Sequence, residues 1–219
     1  LWPTDSAPVG SLSRAMPCVD VHVHLHPERL ASAIERWFAN HGWVSGHSFE
    51  PGAVADTLRA RGVRRFCFFS YAHRPGMSRD LNRWLAATAT KLPDAFALGT
   101  LHPDDPDVDA VAAEATDDLG LRGFKFHHSV QKFHVDDPRL FGVYERAEAA
   151  GVEIYPGFAG DELLVEGGRV VGVRTGDMGV DKHGRPKANF QPGMDVRAKV
   201  TVIGEGVRGP DVYLPQPTS

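Results

Sequence analysis

The sequence predicts an α/β fold in which a partial (β/α) barrel, its first four to five strand–helix units, is followed by a small β-hairpin and strand segment. Three observations lead there. Between Pro17 and Gly151, short apolar runs alternate with stretches whose apolar residues recur at helical spacing. The runs are nearly continuous, which suits parallel strands covered on both faces. After Gly151 the helical spacing stops and two-residue alternation replaces it. Alternating strands and helices put the helices outside a parallel sheet, and four to five such units make about half of an eight-unit barrel.

The elements follow in order. The first strand is Cys18 to His24. A helix opened by Pro27 carries Leu30, Ile34, Trp37 and Phe38 on one face. A second helix runs from Pro51 to Arg61, with Val54 and Leu58 inward and Gly62 as its stop. Arg65 to Phe69 is the second strand. Ser78 caps a helix bearing Leu81, Trp84 and Leu85, which ends before Pro93. Phe96 to Leu101 is the third strand, and a helix over Val108 to Leu119 leads to a fourth, Gly123 to His127. A helix starting at Asp137-Pro138 buries Leu140 and Tyr144, and a fifth strand begins at Val152-Glu153-Ile154-Tyr155.

Beyond Pro156, two apolar strands flank Gly167-Gly168, a pair suited to the positive φ of a two-residue hairpin turn. A polar loop from Gly176 to Met194 leads to a last strand, Ala198 to Ile203. Four segments result: a flexible lead-in over 1–16, the partial barrel over 17–155, the β-rich segment over 156–209 and a Pro-rich tail over 210–219.

A chain of 219 residues, 42% hydrophobic, can bury a real core. Its net charge of −4 gives no reason to expect a nucleic-acid partner. No apolar run is long enough to insert in a membrane, and no basic-then-apolar leader is visible. Two cysteines, Cys18 and Cys67, form no disulfide framework. A cytoplasmic setting is the expectation.

The chemistry concentrates on one edge. Side chains alternate along a strand, so His22 and His24 share a face, while Val21, Val23 and Leu25 take the other as core. At a barrel mouth such a pair can hold a divalent transition metal through neutral imidazoles; a bare pair of this spacing is also what a solvated strand end offers. His73, His102, and the pair Lys125 and His127 follow successive strands, and βα loops build one mouth. Each alone reads as a surface residue. Lys125 either binds substrate or covers the rim with its alkyl stem.

Met16-Pro17-Cys18-Val19-Asp20-Val21-His22-Val23-His24-Leu25-His26-Pro27 resembles the opening of the amidohydrolase-2 family. Phe69 to His73, Gly99 to Asp104 and Gly123 to His127 resemble its later segments, so the likeness spans 17–151. It implies a (β/α)8 barrel, a zinc-like divalent metal on His22 and His24, catalytic roles for His102, Lys125 and His127, and a small-molecule substrate: an amide, lactone or aromatic carboxylate. The reaction would be a hydrolysis at C–N or ester bonds, or a decarboxylation. The resemblance also implies a metal-binding His after strand five and an Asp after strand eight. Ile154-Tyr155-Pro156-Gly157 carries no such His, and strands six to eight are missing from the pattern.

Gly151 to Phe158, Gly168 to Gly179, Phe190 to Met194 and Ala198 to Gly209 are similar instead to the electron-transfer flavoprotein–ubiquinone oxidoreductase family. The two resemblances meet near 144–151, as in a chimera. Gly204, Gly206 and Gly209 spell a dinucleotide-type glycine pattern, the candidate FAD contact. That pattern works only before a helix N-terminus, and Pro210 follows, so FAD binding is not expected. An incomplete barrel leaves an open sheet edge, through which a homodimer could pair.

Overall fold

The computed structural model describes residues 18–44, 46–155 and 158–202. The expected lead-in, the tail and the glycines Gly204, Gly206 and Gly209 lie outside the described residues. The chain divides into two compact units, 1–151 and 152–219.

The first unit is mixed α/β. Its strands are β1 (Cys18–His24), β2 (Val63–Phe69), β3 (Ala95–Ala97), β4 (Gly99–Thr100) and β5 (Phe124–Lys125). Between them lie α1 (Glu28–Asn40), α2 (Pro51–Ala60), α3 (Ser78–Ala89) and α4 (Val108–Ala113), which continues into a π-helical turn over Glu114–Asp118. α5 (His128–Gln131), a 3₁₀ turn over Pro138–Leu140 and α6 (Phe141–Ala149) complete it. All pairings are parallel, β1 to β2 to β3 and β4 to β5. The third strand changes neighbours at one residue. Leu98 N donates to Phe68 O at 3.0 Å, and Gly99 N donates to Gly123 O at 2.8 Å. Among the described residues the sheet does not close, and β1 pairs with β2 alone.

The apolar runs become strands because helices cover them. Val23, Phe66, Phe68, Leu85 and Ala97 form one buried cluster, with Val54 and Leu58 of α2 packed against it. Leu101, Val111, Leu140 and Val143 form a second. Asn82 locks α3 to the sheet: its Oδ1 accepts from Thr100 N at 2.7 Å, and its Nδ2 donates to Thr100 O at 3.0 Å. Gly99 permits this approach, since a Cβ there would stand 3.1 Å from both Asn82 Oδ1 and Phe124 Cδ1.

Several expectations are corrected. Residues 152–155 are not a strand, and Val152, Ile154 and Tyr155 are exposed. An apolar strand needs a paired neighbour to bury its face, and none of the described strands pairs with this stretch. Four strand positions are therefore present, not five. Val19 and Val21 are exposed, unlike Val23 and Leu25, because among the described residues β1 has no second neighbour. Trp37 is exposed although Leu30, Ile34 and Phe38 are partly covered. Ser78 is the first helical residue of α3, not its cap; Met77 holds the cap position in helical geometry, and Ser78 Oγ is left without a partner.

The second unit is antiparallel. β6 (Gly160–Glu166) pairs with β7 (Arg169–Thr175), and β10 (Asp195–Arg197) pairs with the other side of β7. The turn glycines Gly167 and Gly168 have φ of 58° and 75°, the left-handed values that such a turn requires. The expected loop is partly a second hairpin, β8 (Met178–Val180) with β9 (Pro186–Gln191). The last strand comes earlier than expected, at 195–197, since Gly172 lets it approach: a Cβ on Gly172 would lie 2.2 Å from Val196 O. Among the described residues every buried hydrophobic side chain belongs to the first unit, between Val23 and Val143. No described helix is long and apolar enough to cross a membrane.

Candidate functional site

Two-residue periodicity brings the rings of His22 and His24 together at the end of β1. Their Nε2 atoms are 3.2 Å apart, and the ring centroids 5.1 Å. Asp20 Oδ1 accepts from His22 N at 2.9 Å and fixes the backbone there. His24 is paired in register with Phe69, the last residue of β2. Both imidazoles meet the Phe69 ring edge-on at 5.0 Å, and Lys125 Nζ, from the end of β5, stands 5.0 Å from the same ring centre. Phe69 is thus the floor around which the strand ends gather. Tyr71, two residues on, touches the rings of His24 at 5.9 Å, His26 at 6.1 Å and His127 at 5.0 Å.

The electrostatics favour neutral imidazoles. Burial pushes His24 down to about 4, helped by His26, His22, Lys125 and His127. Burial and then Lys125 lower His22, and the same two causes lower His127. Desolvation also lowers Lys125. Neutral nitrogens are the form that binds a metal.

A shared ion at the usual 2.0–2.1 Å zinc–nitrogen distance would subtend about 100° between two nitrogens so spaced, an angle of ordinary metal geometry. In distance and protonation the pair therefore fits two positions of a coordination shell. It does not supply a full set. Among the described residues no group of three His, Cys, Asp or Glu side chains is arranged to hold an ion. His24 Nδ1 is buried without a partner among the described residues, where a ligating His normally donates to a carbonyl or carboxylate.

Lys125 and His127 join the pair, but His102 does not. Its ring is buried in its own turn: Nδ1 accepts from Asp104 N at 3.1 Å, and its backbone N donates to Asp105 Oδ2 at 3.1 Å. His102 acts electrostatically on His73, which is exposed.

The sequence reading missed three supporting residues. His26 continues the alternation of His22 and His24, yet β1 ends before it, and its Nδ1 lies 2.8 Å from Ser70 Oγ in the interior. Tyr71 carries no pattern that marks it. Gln131 is 5% exposed. Its Oε1 accepts from His127 N at 2.7 Å, and its Nε2 donates to Ala72 O at 2.9 Å and Leu101 O at 2.6 Å.

His26 gives a pH prediction. Burial, then His73, holds it at about 4 against an ordinary 6.5. The unfolded chain takes up this proton first as pH falls, so the stability is present above about 6.5 and is lost toward pH 4. The loss is on the order of 2 kcal/mol from this group. Urea unfolding at pH 7 and 4.5 should show His26→Asn losing less on acidification than the parent. An equal loss in both would remove His26 as the cause.

The family model described as amidohydrolase matches residues 19–199. The chain belongs to the amidohydrolase family. The amidohydrolase match runs past Gly151, where the sequence likeness was expected to end. Curated relatives of a second kind also match. The electron transfer flavoprotein-ubiquinone oxidoreductase of Pseudomonas aeruginosa is 55% identical over 67 residues, 30% of this chain and 12% of that protein. The mitochondrial proteins of the same name from Arabidopsis thaliana and Homo sapiens are 51% and 50% identical over 65 and 66 residues, 29% and 30% of this chain. The chain spans only 10–12% of the length of these relatives. An amidohydrolase family match with a short, close flavoprotein match is consistent with a chimera.

Proposed function

We propose that the first unit is the opening part of a (β/α) barrel from a metal-dependent hydrolase or decarboxylase, with His22 and His24 as ligands to a zinc-like divalent ion. The observation that carries this reading is the convergence of their Nε2 atoms to 3.2 Å beside Lys125. An ion held by His22 and His24 would supply Lewis-acid polarisation of a water or a substrate carbonyl. The chain's own groups do the rest. His127, its backbone held by Gln131, has an ordinarily neutral ring able to accept a proton and return it. Lys125 presents a positive charge to the substrate. His102 fixes the turn after β4 through Asp104 and Asp105. Phe69 packs edge-on against both rings, and Tyr71 against that of His24.

The test is metal content. On this reading the full chain, loaded with zinc and dialysed against metal-free buffer, should retain about one equivalent. A chain that emerges without zinc counts against the reading.

One observation favours a second reading, a non-catalytic chimera. The described part of the second unit buries no hydrophobic side chain, and among the described residues β1 has one unpaired edge, with Val19 and Val21 exposed. Open edges invite pairing, and a second copy would cover this one as a homodimer. Light scattering distinguishes the two: a dimer or larger species supports edge pairing, and a monomer argues against it.

A further inference from the structure

We propose that the cavity between α1, the start of α2 and the end of α3 binds a small primary amine with an aromatic body and a terminal hydroxyl group.

The cavity has a volume of about 610 Å³, a size that suits small-molecule ligands. His22, His24, Lys125 and His127 are not among the residues that line it. Its first distinguishing feature is a buried hydroxyl. Thr88 of α3 is 8% exposed and lines the cavity. Threonines inside helices often return the hydroxyl to a carbonyl one turn back. Thr57 and Thr116 do so, to Ala53 O at 2.8 Å and Ala112 O at 3.1 Å. The Thr88 hydroxyl makes no hydrogen bond to any described residue. A covered polar group without a partner is costly, so a ligand that bonds it gains more than one that ignores it. His26 is 4% exposed and lines the same cavity. Its Nδ1 is committed to Ser70 Oγ at 2.8 Å, which leaves Nε2 for a second bond.

The charged part of the lining selects a cation. Glu28 and Glu35 lie seven residues apart on α1, so they share a face, and both line the cavity. Both are exposed, and neither enters an ion pair among the described residues. The start of α1 offsets the charge of Glu28, but Glu35 stands in the middle of the helix without that help. Glu50 caps α2, accepting from Gly52 N at 2.9 Å and Ala53 N at 2.7 Å, and those bonds hold its carboxyl below the ordinary carboxylate range. Lys91 is the lining cation among the described residues, so three carboxylates face one ammonium. That balance attracts an amine and repels an acid. Phe49, Trp84 and Leu92 supply the apolar wall, which suits an aromatic ring. Exposed carboxylates, an apolar wall and a covered hydroxyl thus set three parts of one ligand: an ammonium at the open side, a ring, and a hydroxyl group at the covered end.

The experiment titrates the full chain with tyramine, phenethylamine and para-hydroxyphenylacetate by calorimetry. The tryptophan indole N–H signals are followed by NMR, with that of Trp84 assigned by its loss in Trp84→Phe. If this variant fails to fold, the affinities alone decide. Tyramine should saturate by about 10 mM, which covers millimolar dissociation constants, and should shift the Trp84 signal. Phenethylamine, which lacks the hydroxyl, should bind about fivefold more weakly. The acid should bind at least about tenfold more weakly. Thr88→Val should make tyramine and phenethylamine bind alike. It should also keep the parent's urea midpoint, because the hydroxyl it removes is unpaired. Glu28→Gln combined with Glu35→Gln, both on exposed positions, should weaken tyramine about fivefold. Four results overturn the proposal: no saturation by tyramine, saturation without a Trp84 shift, an acid that binds as tightly as the amine, or tyramine affinity unchanged in the double glutamine variant. A lowered urea midpoint in Thr88→Val also overturns it, since the hydroxyl is then bonded within the chain.

Discussion

His24→Ala should abolish zinc retention, raising the dissociation constant at least about a hundredfold, or about 2.7 kcal/mol. The pair offers two nitrogens 3.2 Å apart, and the described residues supply no third protein ligand in reach. Removing either one leaves a lone imidazole, which cannot hold an ion against water. His22→Ala should lose a similar amount. His26→Ala should not, although it carries the same ring two residues further on, because its Nδ1 is committed to Ser70 Oγ at 2.8 Å in the interior. Competition with a chromophoric zinc chelator measures all three. Unchanged zinc affinity in His24→Ala would place the ion elsewhere in the chain.

Asn82→Ala should destabilise the first unit by about 3 kcal/mol, the penalty of leaving one buried donor and one buried acceptor unpaired. Thr100 is fully buried, and Asn82 satisfies both its N–H and its C=O from α3. β4 is only two residues long, so little else holds it on that side. Urea unfolding monitored by tryptophan fluorescence should show a lower midpoint with an unchanged slope. A loss below about 1 kcal/mol would mean that water or a shifted backbone replaces the two bonds.

Much of the first unit was legible because local rules and packing agree there. Phe66, Cys67, Phe68 and Phe69 are buried as their continuous apolar run requires, and Gly62 has the positive φ of a helix stop. The convergence of His22 and His24 follows from strand alternation alone. What failed depended on neighbours that a local pattern does not contain. Val152 to Tyr155 reads as a strand but has nothing described to pair with, and Val21 reads as core on a strand with one open side. The hairpin of β8 and β9 was hidden by its polar composition: Asp181 organises its tip by accepting from the backbone N of His183 and Arg185, a turn that an apolar pattern never shows. His102 was assigned to the mouth by its position after a strand, yet its Nδ1 turns back to Asp104 N. Position after a strand selects the rim; the direction of the ring is set by the turn.

Gln131 ties together the segments that follow three different strands, through Ala72, Leu101 and His127. One amide group thereby couples loops that are far apart in sequence. A push on any one of them strains the same side chain, so the rim should open and reclose as a single cooperative unit, with the amide protons of those loops exchanging with solvent at a common rate.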